Sequence, residues 1–248
     1  MDESLISEML ESLSTGETAR KTSKQVTTLR GIRGTPVGEI ARVGAAIWKS
    51  EGLTLADEDS LNRLFSSAWE DGLLAIGLLG ALVPDAPSEC FDIGMEWLAR
   101  IDDTTTADAL GWLVLGPGFV AAGPDPERLD TLLADLRSRP HAAVRRAAVA
   151  MGLAFLPVPL QGPSAAPLRE RVGQREVQFV EQPLSPLVHV LAHRFLRDED
   201  PSVRKAMRRL LREWVRTDPA AVVEWENSVR GGLPKLLSAE TKRARRAS

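Results

Sequence analysis

The sequence predicts an all-α chain built as a solenoid of stacked antiparallel helix pairs. Apolar residues recur at spacings of three and four along its whole length, and strict alternation appears almost nowhere. The helical stretches are short and joined by short turns, so no helix can bury its apolar stripe alone. Stacking in pairs is the simplest way to hide those stripes.

In chain order the expected helices cover residues 2–13, 19–30, 36–50, 57–70, 72–83, 87–101, 104–116, 125–138, 141–155, 184–197, 200–216, 218–229 and 238–246. Several starts carry their own signal. Thr35-Pro36, Asp85-Ala86-Pro87, Asp125-Pro126, Asp200-Pro201 and Asp218-Pro219 each set an oxygen acceptor at or near the cap and proline in the first turn, where its missing N–H costs nothing. The arrangement is of HEAT-like type, a single domain over 1–248 with residues 1–20 as an N-terminal helix or arm. Residues 157–183 depart from it: five prolines and two glycines stop any continuous helix. Within this insertion, RERVGQREVQFV either closes as a small β-hairpin around Gly173-Gln174 or remains a loop.

Composition narrows the functional classes. With 248 residues, 44% of them hydrophobic and 26% charged, the chain has ample material for a core, which excludes disorder and a disulfide-stapled scaffold. The one cysteine, Cys90, cannot pair within the chain, builds no cysteine zinc site and fits a reducing compartment. Its N-terminus is acidic, unlike a secretory or mitochondrial presequence, and the longest apolar run, residues 73–83, is too short to span a bilayer. A cytoplasmic location without membrane association is expected. Net charge is -3, yet residues 189–248 hold 14 Lys and Arg against 8 Asp and Glu, or +6, leaving 17 against 26, or -9, for residues 1–188. A polyanion would land on the C-terminal quarter.

The helix over 200–216 is the most informative segment. Val203, Met207, Leu210 and Trp214 make one apolar stripe, while Arg204, Lys205, Arg208, Arg209, Arg212 and Arg216 share the opposite arc. The plainer reading is a solvated face partly neutralised by Glu213 and the acidic run Asp198-Glu199-Asp200. Arg145 and Arg146 form a second basic spot near a helix start, where arginine opposes the macrodipole and an anionic partner becomes more plausible.

At these residues the chain resembles the bacterial DNA-alkylation-repair glycosylases of HEAT-like repeat architecture, the AlkD-like family, from about Val26 to Arg246. LRGIRGTPVGEIARVGAAIW (29–48), LFSSAWEDGLLAIGLL (64–79), TTTADALGWLVLG (104–116) and HAAVRRAAVAMGLAFL (141–156) are similar to successive family segments. The most specific stretch is VRKAMRRLLREWVRTDPAAVVEW (203–225), followed by LSAETKRARR (237–246). The resemblance implies an enzyme that binds duplex DNA along a basic concave groove and hydrolyses the N-glycosidic bond of N3- or N7-alkylated purines without flipping the base. A cationic purine already leaves well, so such an enzyme needs mainly negative charge near the deoxyribose and a placed water. The family's carboxylate matches Asp108 and its backbone-contacting arginine matches Arg146. Its two sugar-contacting tryptophans match Thr104 and Arg209, where this sequence departs from the pattern. Both aromatic walls are therefore missing, and a guanidinium at 209 would neutralise the charge the chemistry needs. Asp108 also has an ordinary explanation, as a carboxylate in the first turn of a helix led by three threonines.

Other chemistry finds no support. His189 and His193 stand at i and i+4, but no third ligand is fixed nearby, so no metal is expected, and neither a P-loop, a dinucleotide fingerprint nor a nucleophile elbow occurs, so no cofactor is expected. The six tryptophans mostly fall at inward helical spacing. Three readings follow: a glycosylase with an altered site, acting on bulky or N3/N7-alkylated cationic purines through Asp108 and Arg146; a silent relative that binds damaged or branched DNA through Arg145, Arg146, the 204–216 arc with Arg204, Lys205, Arg208, Arg209 and Arg212, and the 168–180 part of the insertion; and a protein-binding solenoid scaffold whose working surface is the acidic N-terminal half. The expected partner is duplex or damaged DNA, bound by a monomer through the phosphate backbone.

Overall fold

The structure is a computed structural model that describes residues 2–174, 176–229 and 232–247; Arg175, within the expected insertion, lies outside the described residues, as do Met1, Arg230, Gly231 and Ser248. Among the described residues there are helices and no strand. In chain order they are α1 (Glu3–Ser12), α2 (Gly16–Gln25), α3 (Val37–Glu51), α4 (Glu58–Ser66), α5 (Trp69–Leu82), α6 (Pro87–Trp97), α7 (Thr104–Leu110), α8 (Gly116–Ala121), α9 (Pro126–Ser138), α10 (Ala142–Met151), α11 (Ala166–Arg171), α12 (Ser185–Phe195), α13 (Pro201–Thr217), α14 (Pro219–Ser228) and α15 (Lys235–Ala247). Helices α3, α5, α7, α10, α13 and α15 pack side by side in that order as one layer, backed by α4, α6, α9, α12 and α14. Between the layers runs a continuous apolar core that includes Leu61, Phe65, Trp97, Leu110, Phe155 and Trp214. The expected α-solenoid-like architecture is what forms.

Local chemistry explains the helix ends. Asp125, Asp200 and Asp218 cap as expected, each accepting backbone N–H groups of the following first turn. The other two expected caps do not form. Thr35 turns away to donate to the Leu10 carbonyl at 2.8 Å, and Asp85 turns away to pair with Arg171. The helix expected over 19–30 starts earlier, where Thr15 caps α2, and stops at Gln25. Residues 26–36 instead run extended, because buried carboxylates claim their donors. Glu70 accepts from the backbone N–H of Arg33 and Gly34, Asp71 takes the Arg33 guanidinium at two 2.8 Å contacts, and Asp103 takes Arg30 at 3.0 Å. For the same reason the break expected near residue 71 falls at Ser67-Ala68, placing Glu70 and Asp71 in the first turn of α5, where the macrodipole favours them.

Between α7 and α8 the helix opens into a π segment over Gly111–Leu115. Pro117, two residues past its end, has no N–H to give to the helix ladder. A Cβ on Gly111 or Gly116 would overlap the Ala147 and Met151 carbonyls, so this stretch lies hard against α10.

The insertion corrects the sequence reading. Its described residues form no β-hairpin: the centre is a short helix, α11, preceded by a 3-10 turn at Pro163–Ala165 and followed by left-handed Gly173 and Gln174. Nor is it a free loop. It lies on the outer face of α3 and α5, with Ser164, Ala165 and Leu168 buried. Small residues make the seat, since a Cβ on Gly77 would overlap the Ser164 carbonyl and one on Gly44 would press on Pro167. Arg171 fastens the end: it donates to the Ala81 carbonyl at the α5 C-terminus (2.6 Å), grips Asp85 at 2.7 and 2.8 Å and sits over the Trp48 ring. That guanidinium holds the Asp85 carboxyl below the usual carboxylate range.

Docking through Gly77 makes that position intolerant of side chains. Gly77→Val is expected to destabilise the protein by about 1–3 kcal/mol in urea denaturation, with faster protease cleavage inside residues 157–183. Unchanged cleavage would show that the insertion does not depend on this seat.

Candidate functional site

Asp108 sits in the middle of α7, projecting from the outer face of the first layer. It is not the helix cap, because Asp103 fills that role by accepting from the backbone of Thr105 and Thr106 at 2.8 and 2.9 Å. The Asp108 carboxylate meets Arg146 from α10 in a two-pronged pair, Nε to Oδ1 at 2.8 Å and Nη2 to Oδ2 at 2.6 Å. The remaining Arg146 nitrogen donates to the Ser202 carbonyl at 2.6 Å, in the first turn of α13. Arg146 is thereby buried and fully engaged. From α13, Arg209 brings Nη1 to 4.0 Å from Asp108 Oδ2 and lays its guanidinium carbon 4.7 Å from the centroid of Trp112.

The structure gathers Asp108, Arg146, Lys205, Arg208, Arg209 and Arg212 around one depression, which Glu213 and, from the insertion, Gln161 also border. Two expected members are elsewhere. Arg145 turns back to Asp198 at 2.8 Å and to the carbonyls of Arg139 and Pro140. Arg204 donates to the Asp198 carbonyl and borders a separate depression with Pro234 and Leu237. Thr104 is exposed as the first residue of α7, and its neighbour Thr105, not Thr104, lines the cleft beside Asp108. The arc of α13 is cationic but not bare: Glu240 of α15, fully buried, draws Arg208 to 3.1 Å, Arg243 to 2.8 Å and Arg212 to 3.8 Å. The apolar stripe of α13 is buried as its spacing predicts.

Beside this depression lies a cleft of about 350 Å3 between α7, the π segment and the insertion. Leu73, Ala109, Trp112, Leu113 and Pro163 give it apolar walls, and Asp108, Gln161 and Arg209 border both cavities. Sequence reasoning missed Trp112 and Gln161. Trp112 was accessible to it, standing one helical turn after Asp108 on the same face. Gln161 was not, because no periodicity relates an irregular insertion to α7. His189 and His193 assemble no metal site; His189 Nε2 lies 3.3 Å from Ser228 Oγ, and among the described residues no group of three His, Cys, Asp or Glu side chains converges. No helix among the described residues is long and apolar enough to cross a membrane.

Residues 6–240 match the model of a family described as DNA alkylation repair enzyme. Comparison with curated proteins gives no significant match. Among solved structures the chain is similar to a predicted DNA alkylation repair enzyme from Enterococcus faecalis, with a TM-score of 0.60 at 18% identity over 92% of this chain and 95% of that one. At that identity the shared property is the fold.

The pairing of Asp108 with a buried guanidinium has a measurable consequence. Asp108→Ala is expected to cost about 3 kcal/mol, because it strands Arg146 without a counter-charge. Arg146→Met in the same chain should recover at least 1 kcal/mol of that loss, a coupling typical of contacting residues. Additive losses in a denaturation cycle would show that the pair carries no coupling.

Proposed function

The chain belongs to the DNA alkylation repair enzyme family, and from that premise we propose that it acts in DNA repair by binding duplex DNA along α13, with the damaged nucleotide set against Asp108. The observation that carries this reading is the convergence of Lys205, Arg208, Arg209 and Arg212 on one depression that ends at the Asp108 carboxylate. Cations in a row suit a phosphate backbone, which needs charge and donors but no sequence match. Arg146 then takes a different part from the one the resemblance implies: fully engaged within the protein, it positions Asp108 and leaves phosphate contact to the α13 arc.

The same geometry makes hydrolysis slow. A cation about 4 Å from a carboxylate near a protein surface interacts with it by ~4 kcal/mol. Asp108 meets one guanidinium in direct contact and a second at 4.0 Å, so little of its field is left for a developing sugar cation. With Arg209 at one aromatic wall position implied by the resemblance, and Thr104 at the other but turned away from the cleft, water also has freer access to the sugar. The reading is therefore a binder of alkylation-damaged DNA whose base release, where it occurs, is far slower than that of a site with both tryptophans.

Incubation with a duplex containing 7-methylguanine tests both halves. Retention should weaken as salt rises, with a log-log slope of about -0.9 per phosphate neutralised, and Lys205→Ala should reduce that slope by about one. Free base should stay below detection for the unaltered chain. Arg209→Trp should bring release into the detectable range, a rise of at least about tenfold, equivalent to ~1.4 kcal/mol of barrier. Efficient methylpurine release by the unaltered chain would overturn the charge argument, and no retention at low salt would favour a protein-binding scaffold.

A further inference from the structure

Gln161 reaches from the insertion to the border of both cavities beside Asp108 and shares the cationic depression with Lys205, Arg208 and Arg212 of α13. Its position is fixed from both sides. Before it, Leu160 is buried, donates its N–H to the Val177 carbonyl at 3.0 Å and accepts from the Arg169 guanidinium. After it, Ser164 and Ala165 are buried in the seat on α5. Between these anchors Gln161 and Gly162 stand exposed.

Gly162 holds φ 94° and ψ 174°, a backbone conformation that any side chain would strain. Packing does not demand glycine there, since a Cβ would meet no atom within 4 Å. The conformation serves the shape of the turn, which stays thin beside Gln161. Among the described residues the Gln161 amide has no hydrogen-bond partner, so its donors and its acceptor are free. An amide presented on a pre-set turn pays little ordering cost when it meets a partner.

The depression that Gln161 borders ends at Asp108, which the reading above sets against the deoxyribose. Sugars line the minor groove, so a side chain beside that carboxylate meets the minor-groove edge of the base pairs. That groove is about 6 Å wide, and a thin turn led by glycine can enter it. We propose that the Gln161-Gly162 turn enters the minor groove next to the nucleotide at Asp108, where the Gln161 amide selects A·T pairs by donating to adenine N3 and thymine O2. The bases stay paired and stacked, and Arg209 keeps its place between Trp112 and Asp108. A·T pairs present only acceptors on that edge, whereas guanine adds an amino group, which crowds the turn and meets the amide donors with another donor. This rests on the DNA-binding reading and adds to it the residue that sets sequence preference.

The test compares end-labelled duplexes of alternating A·T, G·C and I·C pairs, equal in length, by fluorescence anisotropy. Inosine lacks only the guanine amino group, so I·C pairs have the minor-groove edge of A·T and the major-groove edge of G·C. A·T and I·C duplexes should bind alike, and about fivefold tighter than G·C. Gln161→Ala should bring that ratio close to one. Gln161→Arg, which carries donors only, should keep the preference, and Gln161→Glu, which carries acceptors only, should lose it. Gly162→Ala should lower the ratio with Gln161 intact, because it strains the turn while its Cβ touches nothing. Lys205→Ala should weaken all three duplexes equally and leave the ratio alone. Equal binding of all three by the unaltered chain, or I·C binding like G·C, overturns the role of the amide, while salt-sensitive binding preserves the DNA-binding reading. Retention of the full ratio by Gln161→Ala assigns the preference to the cations, which a narrow groove attracts, and overturns it as well. Failure to bind any duplex at low salt removes both readings together.

Discussion

Arg146 commits every arm of its guanidinium inside the protein: two to the Asp108 carboxylate on α7 and one to the Ser202 carbonyl in the first turn of α13. One side chain on α10 thus ties three adjacent helices of the layer together. Lysine could not replace it, since an ammonium lacks the planar fork that engages both carboxylate oxygens while a third donor reaches elsewhere. The position of Asp108 relative to the α13 arc follows from this tie, and so does the border shared by the two cavities. The Asp108 charge is thereby committed to holding the helices in register.

A second constraint acts at the other end of the layer. Residues 26–36 run across the starts of α5 and α7, pinned by Glu70, Asp71 and Asp103, all of them buried carboxylates with partners. The insertion covers the outer face of α3 and α5, seated on Gly44 and Gly77 and clamped by Arg171. Between them these two irregular segments close off the first half of the layer. What remains open is the face of α7, α10, α13 and α15, where the arginines are. The overall charge of -3 therefore says little about the surface a partner would meet.

That open face is itself moderated. Asp108 and Glu240 are carboxylates set among arginines, and Glu240, fully buried, holds Arg208 and Arg243 in direct contact with Arg212 close by. Cations held by an internal partner are pre-positioned, which lowers the ordering cost of meeting a phosphate, but part of their field is already neutralised. Lys205, exposed on the same arc, is less constrained.

The sequence by itself determined most of the helices and their order, though not α8 or α11, because a three-and-four apolar spacing and the proline-led caps at Asp125, Asp200 and Asp218 act within a few residues along the chain. It also determined that Val203, Met207, Leu210 and Trp214 would be buried and that cations would line the opposite side of α13. The site was legible only as a set of residue types. That Arg146 would grip Asp108, that Arg145 and Arg204 would turn to Asp198, and that Arg209 would lie on Trp112 were decided by helix packing. The path of residues 26–36 and of the insertion was decided there too: their acceptors and small-residue seats lie tens of residues away, on α3, on α5 and at the start of α7, and no local propensity records a partner that distant. Periodicity fixes which face of a helix is buried, whereas the counter-charge an arginine finds depends on which helices the core brings side by side.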